Sequence, residues 1–337
     1  VLSATNLEFS IITSIHAEVE HEGEITMPAK AMQNFTQYMT DETLLLETVE
    51  SMQLRCVSPT IKTVIIGGAA SEYPSITPIE RGVSIEVPLH EFLQALHLTT
   101  FSSAKTTTRP TLSGVLFLGG GKEVTIVATD SYRLSEYVIS LEQSIPSLSC
   151  IIPARVLEEL CGIVSATKDE KETINLTLSA QQVEIRSQET RFLSRLIEGK
   201  FPDYKQILPK KAETKAKIPL QALTMHLRRM HYFAKEVNNT IVFSLSAHTL
   251  HLRTQKTQLG VDESLLPVTI QGGDSKIALS SSYLLDFLWR LHGEEILLEM
   301  TDSLHPAILR SPQLPSFLHL IMPLRLAEGE KEETPSS

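Results

Sequence analysis

Few side chains in this sequence stand where they could do covalent chemistry. The run Leu118-Gly119-Gly120-Gly121-Lys122 offers amides and an ammonium to a phosphate. It lacks the spacing of a phosphate loop and lies between two apparent strands, Gly114 to Phe117 and Val124 to Val127, so it predicts a hairpin turn. His248 and His251 are three apart in an apparent strand and would face opposite sides, which excludes a shared metal ion. His226 and His231 are five apart on a predicted helix, a poor ligand pair. Asp130 and Asp203 are single carboxylates in strand-end loops without a paired acid, and read as structural. Cys56, Cys150 and Cys161 are odd in number and lack C-x-x-C spacing; they read as small buried side chains in a reducing cytoplasm. These residues predict no catalytic group, no metal and no cofactor, and so a protein that is not an enzyme.

The 337 residues carry 30 Lys and Arg against 40 Asp and Glu, a formal charge of −10. That sum does not announce a nucleic-acid binder, but it can hide a local basic surface. An apolar content of 42% with 21% charged residues is that of a folded chain of two or three domains. No apolar run approaches the ~18 residues that cross a bilayer, and Val1 to Glu8 lacks the pattern of a signal peptide. No membrane partner is expected.

The elements that must position the remaining residues recur at a spacing of about 125 residues. One unit is an apolar strand end, Pro or Ser, an amphipathic helix, and a hairpin of alternating residues. It reads Ile25 to Pro28, a helix to about Met39, then Leu44 to Val49 and Met52 to Cys56. It returns as Cys150 to Pro153, a helix to about Ser165, then Ile174 to Leu178 and Val183 to Ile185. A third copy is Ile277 to Ser280, a helix to about Leu291, then Ile296 to Met300 and a return near Ile308.

A second unit interleaves: Glu86 to Leu89, a helix to about Thr99, then the Gly114 and Val124 strands. Its copy is Lys217 to Leu220, a helix to about Phe233, then Ile241 to Phe243 and Leu250 to Leu252. Proline is favourable at a helix start, where the first N–H is unpaired anyway. Helices on antiparallel sheets, repeated, predict an α+β fold. Ala4-Thr5-Asn6 resembles the closing strand Ala128-Thr129-Asp130, but only three residues precede it. The expectation is an N-terminal half-unit largely missing, by truncation or a start placed too late. Residues 327–337 are polar and acidic and are expected to be disordered.

Five stretches in this order resemble the bacterial DNA polymerase III beta subunit, the sliding-clamp family. They are Arg109 to Gly114, Ala128 to Leu134, Ile151 to Arg155, Gly199 to Tyr204, and Ile321 to Leu326. The resemblance implies the DNA clamp fold: domains at 1–82, 83–208 and 209–326, each of two helix-plus-sheet halves. It further implies a head-to-tail homodimeric ring that encircles duplex DNA without sequence specificity. The implied partners are the clamp loader complex, the replicative polymerase catalytic subunit, and other polymerases and repair proteins carrying a clamp-binding motif.

A sliding ring needs a mildly basic lining. The candidates are Lys30, Lys105, Arg109, Arg155, Arg228, Arg229 and Arg290, with solvated surface charge as the alternative. The resemblance also implies a client-peptide groove between the second and third domains. Its residues carry over as Arg109, Leu112, Thr129, Ser131, Tyr132, Arg133, Leu134, Pro202, Gln206 and Ile207, continuing through Leu304, Pro306, Leu320, Ile321, Met322, Pro323, Leu324 and Arg325. Leu134, Ile207 and Leu320 also suit a plain core. For the ring interface, Phe35 and Met39 form an i, i+4 apolar stripe, opposite Tyr232 and Phe233 at the end of another helix.

Two function classes stay open. One is a processivity clamp without ATPase, nuclease or polymerase activity. The other is a repeat scaffold or hydrolase on a similar sheet architecture. Ring closure separates them.

Overall fold

The computed structural model describes residues 1–49, 52–106, 108–164 and 172–325. The expected acidic tail, and the predicted helix end at Ser165, lie outside them. The chain forms two compact units. Val1–Gly82 with Thr177–Ser194 make the first; Val83–Leu176 with the chain from Arg195 onward make the second.

The first unit opens with a hairpin of β1 (Leu2–Thr5) and β2 (Phe9–Thr13). The Asn6 carboxamide accepts the N–H groups of Glu8 and Phe9, and Leu7 takes a left-handed φ of 72°. Helix α1 (Ala29–Gln37) starts directly after Pro28. Antiparallel β3 (Leu45–Val49), β4 (Gln53–Val57) and β5 (Lys62–Ile66) follow. Leu54, Cys56 and Ile65 form this unit's small core, against which Ile25, Met27, Met32, Phe35 and Leu44 pack. The predicted strand end at Ile25 to Met27 is a single bridge, Thr26 to Gly68. It passes so close that a Cβ on Gly67 would lie 2.2 Å from the Thr26 carbonyl oxygen.

In the second unit, β6 (Val83–Pro88) leads through Pro88 into α2 (Leu89–Thr99). Then come β7 (Gly114–Thr129), β8 (Arg133–Pro153) and α3 (Ala154–Ile163). The predicted hairpin turn at the glycine run is incorrect. The Gly114 and Val124 segments are two parts of one strand, and both pair with β8, from Thr129↔Leu134 to Gly114↔Pro153. The register slips around Gly119 to Glu123, where Gly121 has φ +62°. Glycine serves a bulge as readily as a turn, because both use left-handed backbone. The chain reverses instead at Asp130 to Tyr132, with Ser131 at φ 80°.

Further along lie β9 (Thr173–Leu178), β10 (Gln182–Ser187) and β11 (Thr190–Arg195). Ile174, Leu176, Leu178, Val183 and Ile185 are buried, as the alternation predicts. In the first unit β11 pairs with β2, from Thr190↔Thr13 to Ser194↔Phe9.

The C-terminal half of the second unit begins with β12 (Thr214–Pro219) and α4 (Leu220–Ala234). Strands β13 (Thr240–Ser246), β14 (Thr249–Thr254), β15 (Glu263–Pro267), β16 (Thr269–Gly272) and β17 (Ser275–Ser280) precede α5 (Ser281–Leu288). The last strands are β18 (Glu295–Met300), β19 (Ala307–Ser311) and β20 (Leu314–Ile321). One four-stranded sheet has the order β15-β14-β13-β17. A seven-stranded sheet runs β16-β12-β18-β19-β20-β8-β7, so the last of the described strands, β20, completes a sheet begun by the β7–β8 hairpin. His248 sits in the turn between β13 and β14, next to Ala247 at φ 51°, and not in a strand as predicted.

Candidate functional site

The residues predicted for the groove gather where β20 meets β8. The Tyr132 carbonyl accepts the Met322 N–H at 2.8 Å, and the Ala278 carbonyl accepts the Leu324 N–H at 2.8 Å. The segment 322–325 is thereby laid across the Asp130–Tyr132 reversal and the later half of β17. Asp130 shapes that reversal by accepting the N–H groups of Tyr132 and Arg133 at 2.9 and 3.0 Å. The Arg109 guanidinium donates to the Ser131 hydroxyl at 3.2 Å. The floor is an apolar cluster of Leu112, Leu134, Ile308 and Leu320 with Phe201 and Tyr204, and Met322 packs on it half-buried.

The groove residues divide into rim and floor. Tyr132, Pro202, Gln206, Ile207, Leu304 and Arg325 are exposed, Leu304 at 76%. Met322, Pro323 and Leu324 are half-buried. Leu112, Thr129, Arg133, Leu134, Pro306, Leu320 and Ile321 are buried beneath them. Asp203 accepts from Gln206 at 2.8 Å, fixing the rim turn.

Arg133 departs most from its predicted role as a groove-facing group. It donates to Asp130 at 3.1 Å, to Asp286 at 2.6 Å and to the Phe101 carbonyl at 3.0 Å. Its guanidinium also lies 4.6 Å from the Tyr283 ring centroid. A buried cation must be paired in this way, so its donors are spent inward. Sequence reading did not place Tyr283 or Asp286 at this site. Tyr283 stacks on Tyr132 at 6.5 Å, and burial pushes its phenol pKa up. Their spacing of three on α5 put both on one helix face, the one signal that pointed to them.

The predicted lining charges differ in what they can offer. Lys105 is paired with Glu158 at 3.0 Å, and Arg229 holds both oxygens of Asp262 at 2.8 and 2.9 Å. Arg290 lies 4.1 Å over the Phe101 ring and donates to the carbonyls of His97 and Asp286. These three are engaged within the protein, each with an acid or carbonyl within reach. Lys30, Arg155 and Arg228 are exposed and have no carboxylate partner among the described residues. Among those residues, no group of His, Cys, Asp and Glu could hold a metal ion.

The model of the DNA polymerase III beta subunit central domain matches residues 86–203, and that of its C-terminal domain matches residues 205–325. The two run consecutively over more than half of the sequence. The chain belongs to the DNA polymerase III beta-subunit family. Among curated members, the beta sliding clamp of Haemophilus influenzae is 26% identical over 326 residues, covering 96% of this chain and 88% of its own. The beta sliding clamp of Staphylococcus epidermidis is 28% identical with the same coverage. Among solved structures, the beta subunit of Thermotoga maritima superposes with a TM-score of 0.90 at 24% identity, and the sliding clamp of Bacillus subtilis with 0.87 at 25%. Each covers 96% of this chain and 88% of the other.

In this beta-subunit chain, the residues predicted for the ring interface are only partly available. Phe35 is packed into the core of the first unit, and Met39 lies past the end of α1, which stops at Gln37. Of the two, Phe35 is half-buried against the sheet beneath α1. Val64 and Ile66 of the outer strand β5 are exposed instead, Ile66 at 74%. In the second unit, Tyr232 is exposed and meets half-buried Phe233 edge-on at 5.7 Å. The outer strand β15 exposes Leu265.

Proposed function

We propose that this protein is a DNA polymerase processivity factor. Two copies close into a ring around duplex DNA, slide without sequence specificity, and tether a replicative polymerase and other clients by short peptides. The observation that carries this reading is the consecutive match to the central and C-terminal beta-subunit domains. The division taken is 1–82, 83–208 and 209–326; the matches at 86–203 and 205–325 support the second and third domains. No catalytic step is part of the function; topology retains the ring, so mild contacts suffice.

Clients dock where the 322–325 segment crosses the Asp130–Tyr132 reversal. Half-buried Met322 and Pro323 with exposed Leu304 and Ile207 suit aliphatic anchors, and Arg325 suits a polar group. Ring closure joins β5 of one copy to β15 of the other, with Tyr232 and Phe233 alongside. Outer strands have unspent amides and carbonyls, and pairing them across a dimer leaves no edge exposed. We place the protein in the cytoplasm with the clamp loader and polymerase; its three cysteines are free, and no helix among the described residues is long and apolar enough to cross a membrane.

The decisive experiment is retention on DNA. Protein loaded on a nicked circular plasmid should stay bound through high-salt gel filtration and leave once the plasmid is linearised. Equal loss from circular and linear DNA would refute encirclement.

A further inference from the structure

The exposed face of α4 carries Gln221, Met225, Arg228 and Tyr232 at helical spacing. The helix contains no acid. Arg229 beside them is matched by Asp262, and Asp286 on the neighbouring α5 is bound to Arg133, so among the described residues Arg228 is the open cation of this face. Its guanidinium lies 4.7 Å from the ring centroid of Trp289, which follows α5. Trp289 is the chain's single tryptophan and is 62% exposed. No other aromatic ring among the described residues stacks on its indole.

We propose that Trp289 and Arg228 form a stacking site for an unpaired base of single-stranded DNA. An indole held against a guanidinium presents a planar apolar surface beside unspent N–H donors. A nucleotide matches both: the base covers the indole and the phosphate takes the guanidinium. The interior of a paired duplex does not, because each base there already lies between two others. The acid-free helix supplies the charge complementarity that selects a polyanion over an acidic or neutral groove partner. The inference rests on the proposed DNA-encircling role, and adds to it that this wall distinguishes single from double strand. Such a site would engage template just beyond a primer end.

Because the chain has one tryptophan, its fluorescence reports the site directly. Full-length protein is titrated with an oligothymidylate, an abasic strand of equal length, and a plasmid-length linear duplex, whose ends are a negligible share of its bases. The oligothymidylate should quench the emission, and the other two should not. Trp289→Ala should weaken single-strand binding about tenfold, and Trp289→Phe should recover most of it. Arg228→Gln should reduce the salt slope of single-strand binding by about one counterion. Equal quenching by the abasic strand or the duplex would overturn the proposal, as would unchanged affinity in Trp289→Ala. Plasmid retention is measured on the same samples. Retention without quenching refutes only the stacking site; quenching without retention refutes only the ring.

Discussion

Arg133 joins three parts of the second unit at one atom group: the Asp130 reversal, the loop at Phe101 and helix α5. Truncating it would strand partly buried carboxylates without a counter-charge. Arg133→Met should cost about 3 kcal/mol in urea unfolding, at the lower end for a broken buried pair. Adding Asp286→Asn should recover part of the loss, since the stranded charge is then gone. Recovery of nothing would mean that Asp286, half-exposed, is satisfied by water.

His319 is a second residue with a measurable consequence. It is fully buried, its Nδ1 lies 2.8 Å from the Ser135 hydroxyl, and its ring stacks on Phe287 at 4.7 Å. Burial, then the charges of Arg133 and Arg290, hold its pKa well below the ordinary 6.5. The unfolded chain therefore binds a proton near pH 6.5 that the folded chain refuses. Stability from this group is present above that pH and is lost as pH falls, by up to ~1.4 kcal/mol per pH unit. His97 and His231 shift the same way, also by burial first. The melting temperature should drop between pH 7 and 5, and His319→Gln should flatten the slope.

At the scale of elements, β5 is where the interface prediction belongs. Val64→Lys with Ile66→Lys should give folded monomers by light scattering, because the exposed face of an outer strand tolerates charge in the monomer but not in a dimer seam. Phe35→Ala, at a half-buried position, should instead lower stability by ~1–2 kcal/mol and leave the assembly intact at permissive temperature. Monomers from Phe35→Ala at full stability would reverse this assignment. The same elements mark what the sequence disclosed. Helices were legible because Pro28, Pro88, Pro153 and Pro219 stand directly before them and apolar residues repeat at 3.6. The glycine run misled because its chemistry serves a turn and a bulge equally. Periodicity finds a stripe, yet does not say which surface will claim it, and so Phe35 was assigned to a partner. Outer strands leave no trace in local sequence, since which strand ends a sheet is decided by distant pairing.

For the whole molecule, the groove was legible only through the order of short matching stretches, not through any one of them. Its buried floor and exposed rim cannot be told apart by residue type: Leu320 is fully buried and Leu304 exposed. Met322→Glu should lower affinity for a polymerase-derived peptide at least tenfold while the assembly keeps its size, which peptide titration and light scattering would read together. Removing residues 327–337 should leave that affinity unchanged or slightly higher, since they carry four Glu against one Lys and follow Arg325 closely in sequence, and like charge repels an acidic client over about a Debye length, ~8 Å.

The pairing of β8 with β20 has a consequence for how the protein is made. Ser135 and His319 touch across 184 residues of sequence, and Thr13 and Thr190 across 177. On the ribosome, the β7–β8 hairpin can zip as soon as it emerges, but the far side of β8 has no partner until the last strand has left the exit tunnel. For most of synthesis the nascent chain therefore displays a bare strand flank, open to pairing with another nascent chain. Closing loops of this length is slow, so refolding should be slow and protein concentration should set its yield.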